Sequence, residues 1–330
     1  MKMLQWNPRR FLLSLAGGII CLPIGVALVR PVGWHESAKA NELKAEDQKP
    51  APLDADKIGT ASGVKATATP DGVVRIGWPR TDVAVTVDGM PLKPFAGLGS
   101  WAAFTPTMHG AMLMGDTVVF QDEVTPAMDA AFAAGLEVSG LHNRFFFDEP
   151  KVYFMHIGGQ GEPEKLAAAV KTVWDAIKNV RAGAPQPATK FTGDTPKAGM
   201  ITADKVEKIL GQKGESQAGV VKVTIGREGT MHGMKVAGSM GLTTWAAFSG
   251  SDELAAVDGD FIMTAEEVQP LLRALRKANV HIVALHNHMI GEQPPFYFTH
   301  FWAKGSTEDL ARGIKAALDA QSEASKKGKH

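Results

Sequence analysis

The sequence predicts an α+β fold of two tandem homologous repeats, each an antiparallel sheet with helices packed on one face. Two observations carry this. First, motifs recur at a fixed offset of 144: Trp101-Ala102-Ala103-Phe104 returns as Trp245-Ala246-Ala247-Phe248, Gly115-Asp116 as Gly259-Asp260, Leu141-His142-Asn143 as Leu285-His286-Asn287, and Tyr153, Phe154 and His156 as Tyr297, Phe298 and His300. Second, within each unit short β-branched runs come first and helical periods follow, an order that lays helices on an antiparallel sheet instead of winding them around a parallel one. At about 130 residues a unit is long enough for its own core, and two copies are too few for a solenoid.

Residues 1–40 read as an export signal or N-terminal anchor. Lys2, Arg9 and Arg10 precede an uncharged apolar run at 11–29, the layout of a secretory signal. Arg9-Arg10 before Phe11-Leu12-Leu13 resembles the twin-arginine signal, with Pro8 where serine or threonine is usual. Ala38-Lys39-Ala40 offers a cleavage site ahead of Asn41. Left uncut, the apolar run approaches the roughly 20 residues that span a bilayer. Cys21, the chain's one cysteine, lacks the small preceding residue of a lipidation site. Cleavage would remove it, so disulfides, thiolate zinc sites and iron–sulfur clusters are excluded from the mature chain. The expected location is periplasmic or cell-envelope, with the membrane met only through 11–29.

Residues 41–52 are a polar leader, 53–180 the first repeat, 181–200 a linker broken by Gly183, Pro185, Pro187, Gly193 and Pro196, 201–323 the second repeat, and 324–330 a polar tail. Within the first repeat, 73–78 and 83–87 are strand-like and Asp88-Gly89 supplies a turn, so these two are expected to pair. Segments 101–105 and 117–120 extend the sheet. A helix follows Pro126, tolerated in a first turn, and ends at Gly135. Its counterpart carries Leu271, Leu275 and Ala278 on one stripe; Thr264 and Glu267 have the spacing of a capping box, but Pro270 would then sit inside the helix, which leaves that boundary open. A hairpin of 136–147 and 151–157 follows, then a long helix at 162–179 or 307–322.

The 35 basic and 35 acidic residues balance, but five of the basic ones and only Glu36 of the acidic ones fall in residues 1–40. The remainder is mildly acidic and offers no broad cationic face, which argues against nucleic-acid binding.

Candidate functional residues come from the hairpin arithmetic. A turn centred on Glu149 sets His142 opposite His156, and one centred on Gln293 sets His286 opposite His300. Opposed side chains on one face have Cβ atoms roughly 4.5–5.5 Å apart, close enough for two imidazoles to share a metal at about 2.0–2.1 Å. His288, two residues beyond His286, joins them by strand alternation. Three imidazoles suit zinc or copper better than magnesium or calcium. In the first repeat Arg144 takes that third place; a guanidinium cannot ligate a cation, so His142, Arg144 and His156 are expected to bind a small ligand, an anion such as carboxylate or phosphate. The plainer alternative is a pair of core histidines bonded to backbone carbonyls. If the metal serves hydrolysis, Glu253 and Glu292 are the candidate general bases. Met108-His109 and Met231-His232 are weaker copper motifs, at non-equivalent repeat positions.

The repeated Trp-Ala-Ala-Phe, Leu-His-Asn and Tyr-Phe-x-His elements, with Glu267-Val268-Gln269-Pro270 between them, resemble the LppY/LpqO lipoprotein family over residues 54–320. His286-Asn287-His288 with Glu292 and Pro294 keeps the family pattern, and Arg144 departs from it. The resemblance implies an envelope location and a tandem fold, and it supplies no reaction, cofactor or catalytic residue.

Overall fold

The computed structural model describes residues 49–328; the segment 1–40 expected to be an export signal or anchor, and residues 41–48 of the expected leader, lie outside them. Among the described residues no helix is long and apolar enough to cross a membrane.

The first repeat runs α1 (Ala55–Ser62), β1 (Thr67–Ala68), β2 (Val74–Pro79), β3 (Gly99–Thr107), β4 (Gly110–Phe120), α2 (Val124–Ala133), β5 (Glu137–Asn143), β6 (Val152–Gly161) and α3 (Pro163–Gly183). The second repeats it as α4 (Ala203–Leu210), β7 (Gly214–Gln217), β8 (Val220–Gly226), β9 (Thr243–Gly250), β10 (Ala255–Met263), α5 (Ala265–Lys277), β11 (His281–His286), β12 (Tyr297–Gly305) and α6 (Thr307–Lys327). All twelve strands form one antiparallel sheet, ordered β1-β2-β3-β4-β6-β5-β11-β12-β10-β9-β8-β7, so the two halves meet edge to edge at β5 and β11. Leu141 pairs with Leu285 at that seam. The duplication thereby covers an edge that each half alone would leave open.

Strand alternation sorts the two faces. Val74, Phe104, Leu113 and Leu141, with Val221, Phe248, Val257 and Leu285 of the second repeat, join Met155 and the helical residues Val170, Trp174, Leu271 and Ile314 in one continuous core. The other face carries two small apolar clusters, one around Val118, Phe120 and Phe154, the other around Ile262, Phe296 and Phe298. Each is covered by a three-stranded ribbon: Thr86–Val87, Met90–Pro91 and Asp148–Glu149 in the first repeat; Gly229–Met231, Met234–Val236 and Glu292–Gln293 in the second.

These ribbons correct the expected pairing of 73–78 with 83–87. β2 pairs instead with β3, and Thr86–Val87 turns back at Asp88-Gly89, both at positive φ, onto Met90–Pro91. The turn chemistry was legible; the crossing to another sheet was not, because two-residue strands carry no period. Met231-His232-Gly233-Met234 is the matching turn of the second ribbon, and Met108-His109 is the turn between β3 and β4.

Helix ends differ from expectation where buried ion pairs hold them. α3 continues through 181–183 because Arg181 is buried against Asp122 and Glu123, so the linker begins later than 181. α6 absorbs most of the polar tail because Gln321 and Ser325 donate to buried Glu267. Glu267 also completes the capping box with Thr264 and receives Arg227. Glu123 and Arg80, buried in the first repeat, form the equivalent bidentate pair at 2.8 and 2.9 Å. The seam is latched by α5: Arg273 donates to the carbonyls of Phe132 and Leu136, Arg276 pairs with Asp129, and Gln269 brackets the backbone of Val138.

Candidate metal centre

Leu141 and Leu285 point into the helix-side core, so the next residues, His142 and His286, stand on the helix-free face on either side of the seam. The hairpin register is shifted by two from the expected one. His142 lies opposite Phe154 and His156 opposite Gly140; likewise His286 faces Phe298 and His300 faces Ala284. The cause is the ribbon, because Asp148–Glu149 pairs with Thr86–Val87 instead of forming the turn. A shift of two preserves the face, whereas a shift of one would have sent the rings to opposite sides. The imidazoles therefore still meet, as diagonal neighbours. The His142 and His156 Nε2 atoms are 2.9 Å apart, and the ring centroids of His286 and His300 are 4.8 Å apart.

His288 arrives by a different route from strand alternation. β11 ends at His286, and His288 sits on the following bend with its ring stacked on Phe298 at 3.4 Å and 9°. The ligand nitrogens of His286, His288 and His300 all lie within 4.8 Å of one another. Nitrogens bound tetrahedrally at about 2.0–2.1 Å stand roughly 3.4 Å apart, so closing the set takes small rotations, and His288 on its loop has the freedom to make them.

Asp116 and Asp260, one strand further in, were not singled out as site residues. Asp116 lies directly opposite His156 and Asp260 directly opposite His300. Both are buried. The signal was available: Gly-Asp repeats inside a strand, on a face where a lone acid has no structural motive. Burial raises Asp260 to about 7; its Oδ1, like that of Asp116, has no hydrogen-bond partner, and what separates the two is the Arg144 guanidinium on Asp116 Oδ2. His288 Nε2 and His300 Nδ1 stop 3.6 and 3.7 Å from its carboxylate, beyond hydrogen-bonding distance. Burial first, and then the neighbouring imidazoles, lower His288 to about 4, and the same causes lower His300, so both rings are neutral at pH 7 with a lone pair to give.

The first repeat closes the same arrangement with its own side chains. Arg144 lies over Phe154 at 3.9 Å, as His288 lies over Phe298, and donates to Asp116 Oδ2 at 3.2 Å. Burial raises Asp116, and His156, Arg144 and His142 oppose that rise. His142 Nδ1 is 2.8 Å from the Asn143 carbonyl, which assigns the proton to Nδ1; Nε2 then accepts from His156 Nε2–H. The His142 lone pair that would face a metal is thus engaged, and His156 presents a proton at the same place. His286 Nδ1 makes the same contact to the Asn287 carbonyl, at 3.2 Å, but its Nε2 is left available.

The two candidate bases stand outside the three-histidine group, though Glu292 lines one cavity together with His286. Glu292 is buried in the ribbon, where Oε1 accepts from Phe296 N at 2.9 Å, as Asp148 accepts from Val152 N in the first repeat. Glu253 is exposed in the turn between β9 and β10, bonded to Ser251, and even the strand's first residue, Ala255, is five residues along it from Asp260. That separation is about 17 Å at strand rise.

A family model described as Domain of Unknown Function (DUF1259) matches the chain twice, at residues 56–176 and 204–320. The chain belongs to the DUF1259 family. Both matches fall on the repeats, so the paired sites are two versions of one DUF1259 unit. No curated protein matches the chain. Among solved structures, similarity extends to the trimeric bacterial microcompartment shell protein PduB, at 11% identity over 80% of this chain and 93% of that one with a TM-score of 0.20. It extends also to EtuB from Clostridium kluyveri, at 11% identity over 79% and 92% with a TM-score of 0.19.

Proposed function

We propose that this DUF1259 chain is an exported envelope protein whose C-terminal repeat binds one divalent transition metal, zinc or copper, through His286, His288 and His300. One observation carries the reading. The repeats share a buried aspartate beside two histidines, and the first repeat compensates it with Arg144, whereas the second puts His288 there and leaves Asp260 facing imidazoles without a cation. A dication among three neutral imidazoles supplies the missing charge, and Asp260 orients the rings as an outer carboxylate. The ligand set contains no thiolate and is borderline in softness, which suits zinc or copper. In the first repeat the guanidinium stands in for the ion, so His142, Arg144 and His156 hold no metal; the exposed part of Arg144 is what remains to meet an anion. The envelope location rests on the N-terminal pattern and on the LppY/LpqO resemblance.

The test is metal content. Protein purified from its native compartment and dialysed should retain one zinc or copper per chain by mass spectrometry, and the His286→Ala, His300→Ala double variant should retain none. Failure of the wild-type protein to take up either ion under any loading condition overturns the reading.

A further inference from the structure

Beside His300 a cavity of about 400 Å³ opens at the seam between the repeats. Trp245, Trp302 and Phe191 form its aromatic walls, and Asp258 and His281 lie among them. Its construction draws on three parts of the chain. Trp245, Asp258 and Trp302 come from adjacent strands of the second repeat, Phe191 comes from the linker, and Gln121, Thr125 and Tyr153 reach across the seam from the first repeat. Phe191 is fixed by stacking on His281 at 4.2 Å and 19°, and His281 Nδ1 is held by Thr125 at 2.8 Å. The linker, irregular in sequence, is thus a built wall.

Comparison of the repeats separates this pocket from inherited packing. At the same offset that carries His300 onto His156, Trp302 falls on Gly158, Asp258 on Met114 and His281 on Glu137. The second repeat alone therefore carries this combination of aromatic rings and acid, in the same half as the metal triad. No lysine or arginine lines the cavity; Lys222 is the nearby base, and it covers the Trp245 ring at 4.3 Å. Burial raises Asp258 above the ordinary carboxylate range, partly offset by a backbone hydrogen bond and by Lys222. A half-buried carboxylate in a cavity also lined by two indoles favours a ligand that brings a positive charge, since aromatic faces and the acid attract it together.

The geometry points to a second component of the site: a pocket for a flat aromatic ligand bearing an ammonium or similar cationic group, seated between Trp245 and Trp302 with its charge at Asp258 and its ring beside His300. This rests on the metal reading only for the ion at the pocket's rim; the pocket itself stands without it. Calorimetric titration of the full-length protein, metal-free, with tryptamine and with indole-3-acetate offers one ring system with opposite charges. Tryptamine should bind at least tenfold more tightly, and W302A and D258N should each weaken it at least fivefold. D258N keeps the side-chain shape, so its result stands even if W302A folds poorly. Equal or tighter binding of indole-3-acetate, no binding of tryptamine, or unchanged tryptamine affinity in D258N overturns the proposal. His288 does not line the cavity, so H288R should keep tryptamine binding while losing zinc. Loss of zinc uptake in the wild-type protein sinks the metal reading alone, and loss of tryptamine binding with zinc retained sinks the pocket alone.

Discussion

Substituting His288 by arginine copies the first repeat's solution into the second, and the consequences follow from distances already in the molecule. Arg144 has an aromatic platform at 3.9 Å and a carboxylate at 3.2 Å; His288 has the matching platform, Phe298, at 3.4 Å and the matching carboxylate at 3.6 Å. H288R should therefore fold, and its guanidinium should give Asp260 a charge-assisted bond worth about 1.5–3 kcal/mol. The same change removes one of three ligands and sets a permanent positive charge beside the other two. In the wild-type protein, zinc at a hundred times its Kd should stabilise the native state by about 2.7 kcal/mol, which moves the melting midpoint by roughly 4–5 °C for a chain of this size. Scanning calorimetry with and without zinc reads the difference. The variant should show an equal or higher metal-free midpoint and no zinc-dependent rise. A rise of wild-type size in H288R would refute the reasoning, because the ion would then be held elsewhere.

The converse substitution, R144H, should raise bound zinc from one to two per chain by mass spectrometry, since it completes a triad over Asp116 and frees it from its guanidinium. G259A should destabilise by several kcal/mol in urea unfolding: its Cβ would stand 2.1 Å from the Trp245 carbonyl oxygen and 2.4 Å from Phe301 Cζ. G77A, with 3.7 Å to its nearest neighbour, should shift stability by no more than about 0.5 kcal/mol. E123Q strips the charge from the fully buried partner of Arg80 and should cost about 3–5 kcal/mol in the same assay. For the acid limb, burial alone would raise Glu267, but hydrogen bonds from Arg227, Ser325, Gln321 and the Thr264 N–H hold it at about 2, below the ordinary 4.5. Its folded value lies below its unfolded one, so the stability it contributes is present above about pH 4.5 and drains away as pH falls toward 2. A pH series of urea midpoints should show that slope in the wild-type protein and a flatter one in E267Q.

What the sequence revealed depended on the length scale of the signal. The duplication, the helices and the long strands were legible because offsets and periods accumulate over many residues. The ribbons escaped because Thr86–Val87 and Asp148–Glu149 are two-residue strands whose pairing is decided by the apolar patch they cover. That omission displaced the hairpin register by two, yet His142 and His156 still met, because strand faces repeat with the same period as the error. His288 reached the cluster through a bend and not through the alternation that suggested it. Asp260 was visible as a repeated letter, but its meaning required knowing that β10 lies beside β12. The aromatic pocket had no sequence signal at all, since Phe191, Tyr153 and Trp302 are brought together by the seam.

Duplication gives this molecule an internal control that a single domain lacks. Two copies inherited the same Asp, His and His on the same rows of one continuous sheet, so whatever those residues need for folding is needed twice. The first copy meets it with Arg144 and a closed imidazole pair, using only its own side chains. Stability alone therefore does not call for the second arrangement: a guanidinium that pairs one oxygen of the aspartate was available at the equivalent position, although Oδ1 stays unpartnered in both copies. The second copy instead carries a third histidine, leaves a buried carboxylate uncompensated, and gathers indoles beside it across the seam. Departures from a neighbouring, better-satisfied version of the same structure are where a fold gives up stability for function. In this protein they converge on one face of one half, with the first repeat supplying a wall and the latch that holds it in place.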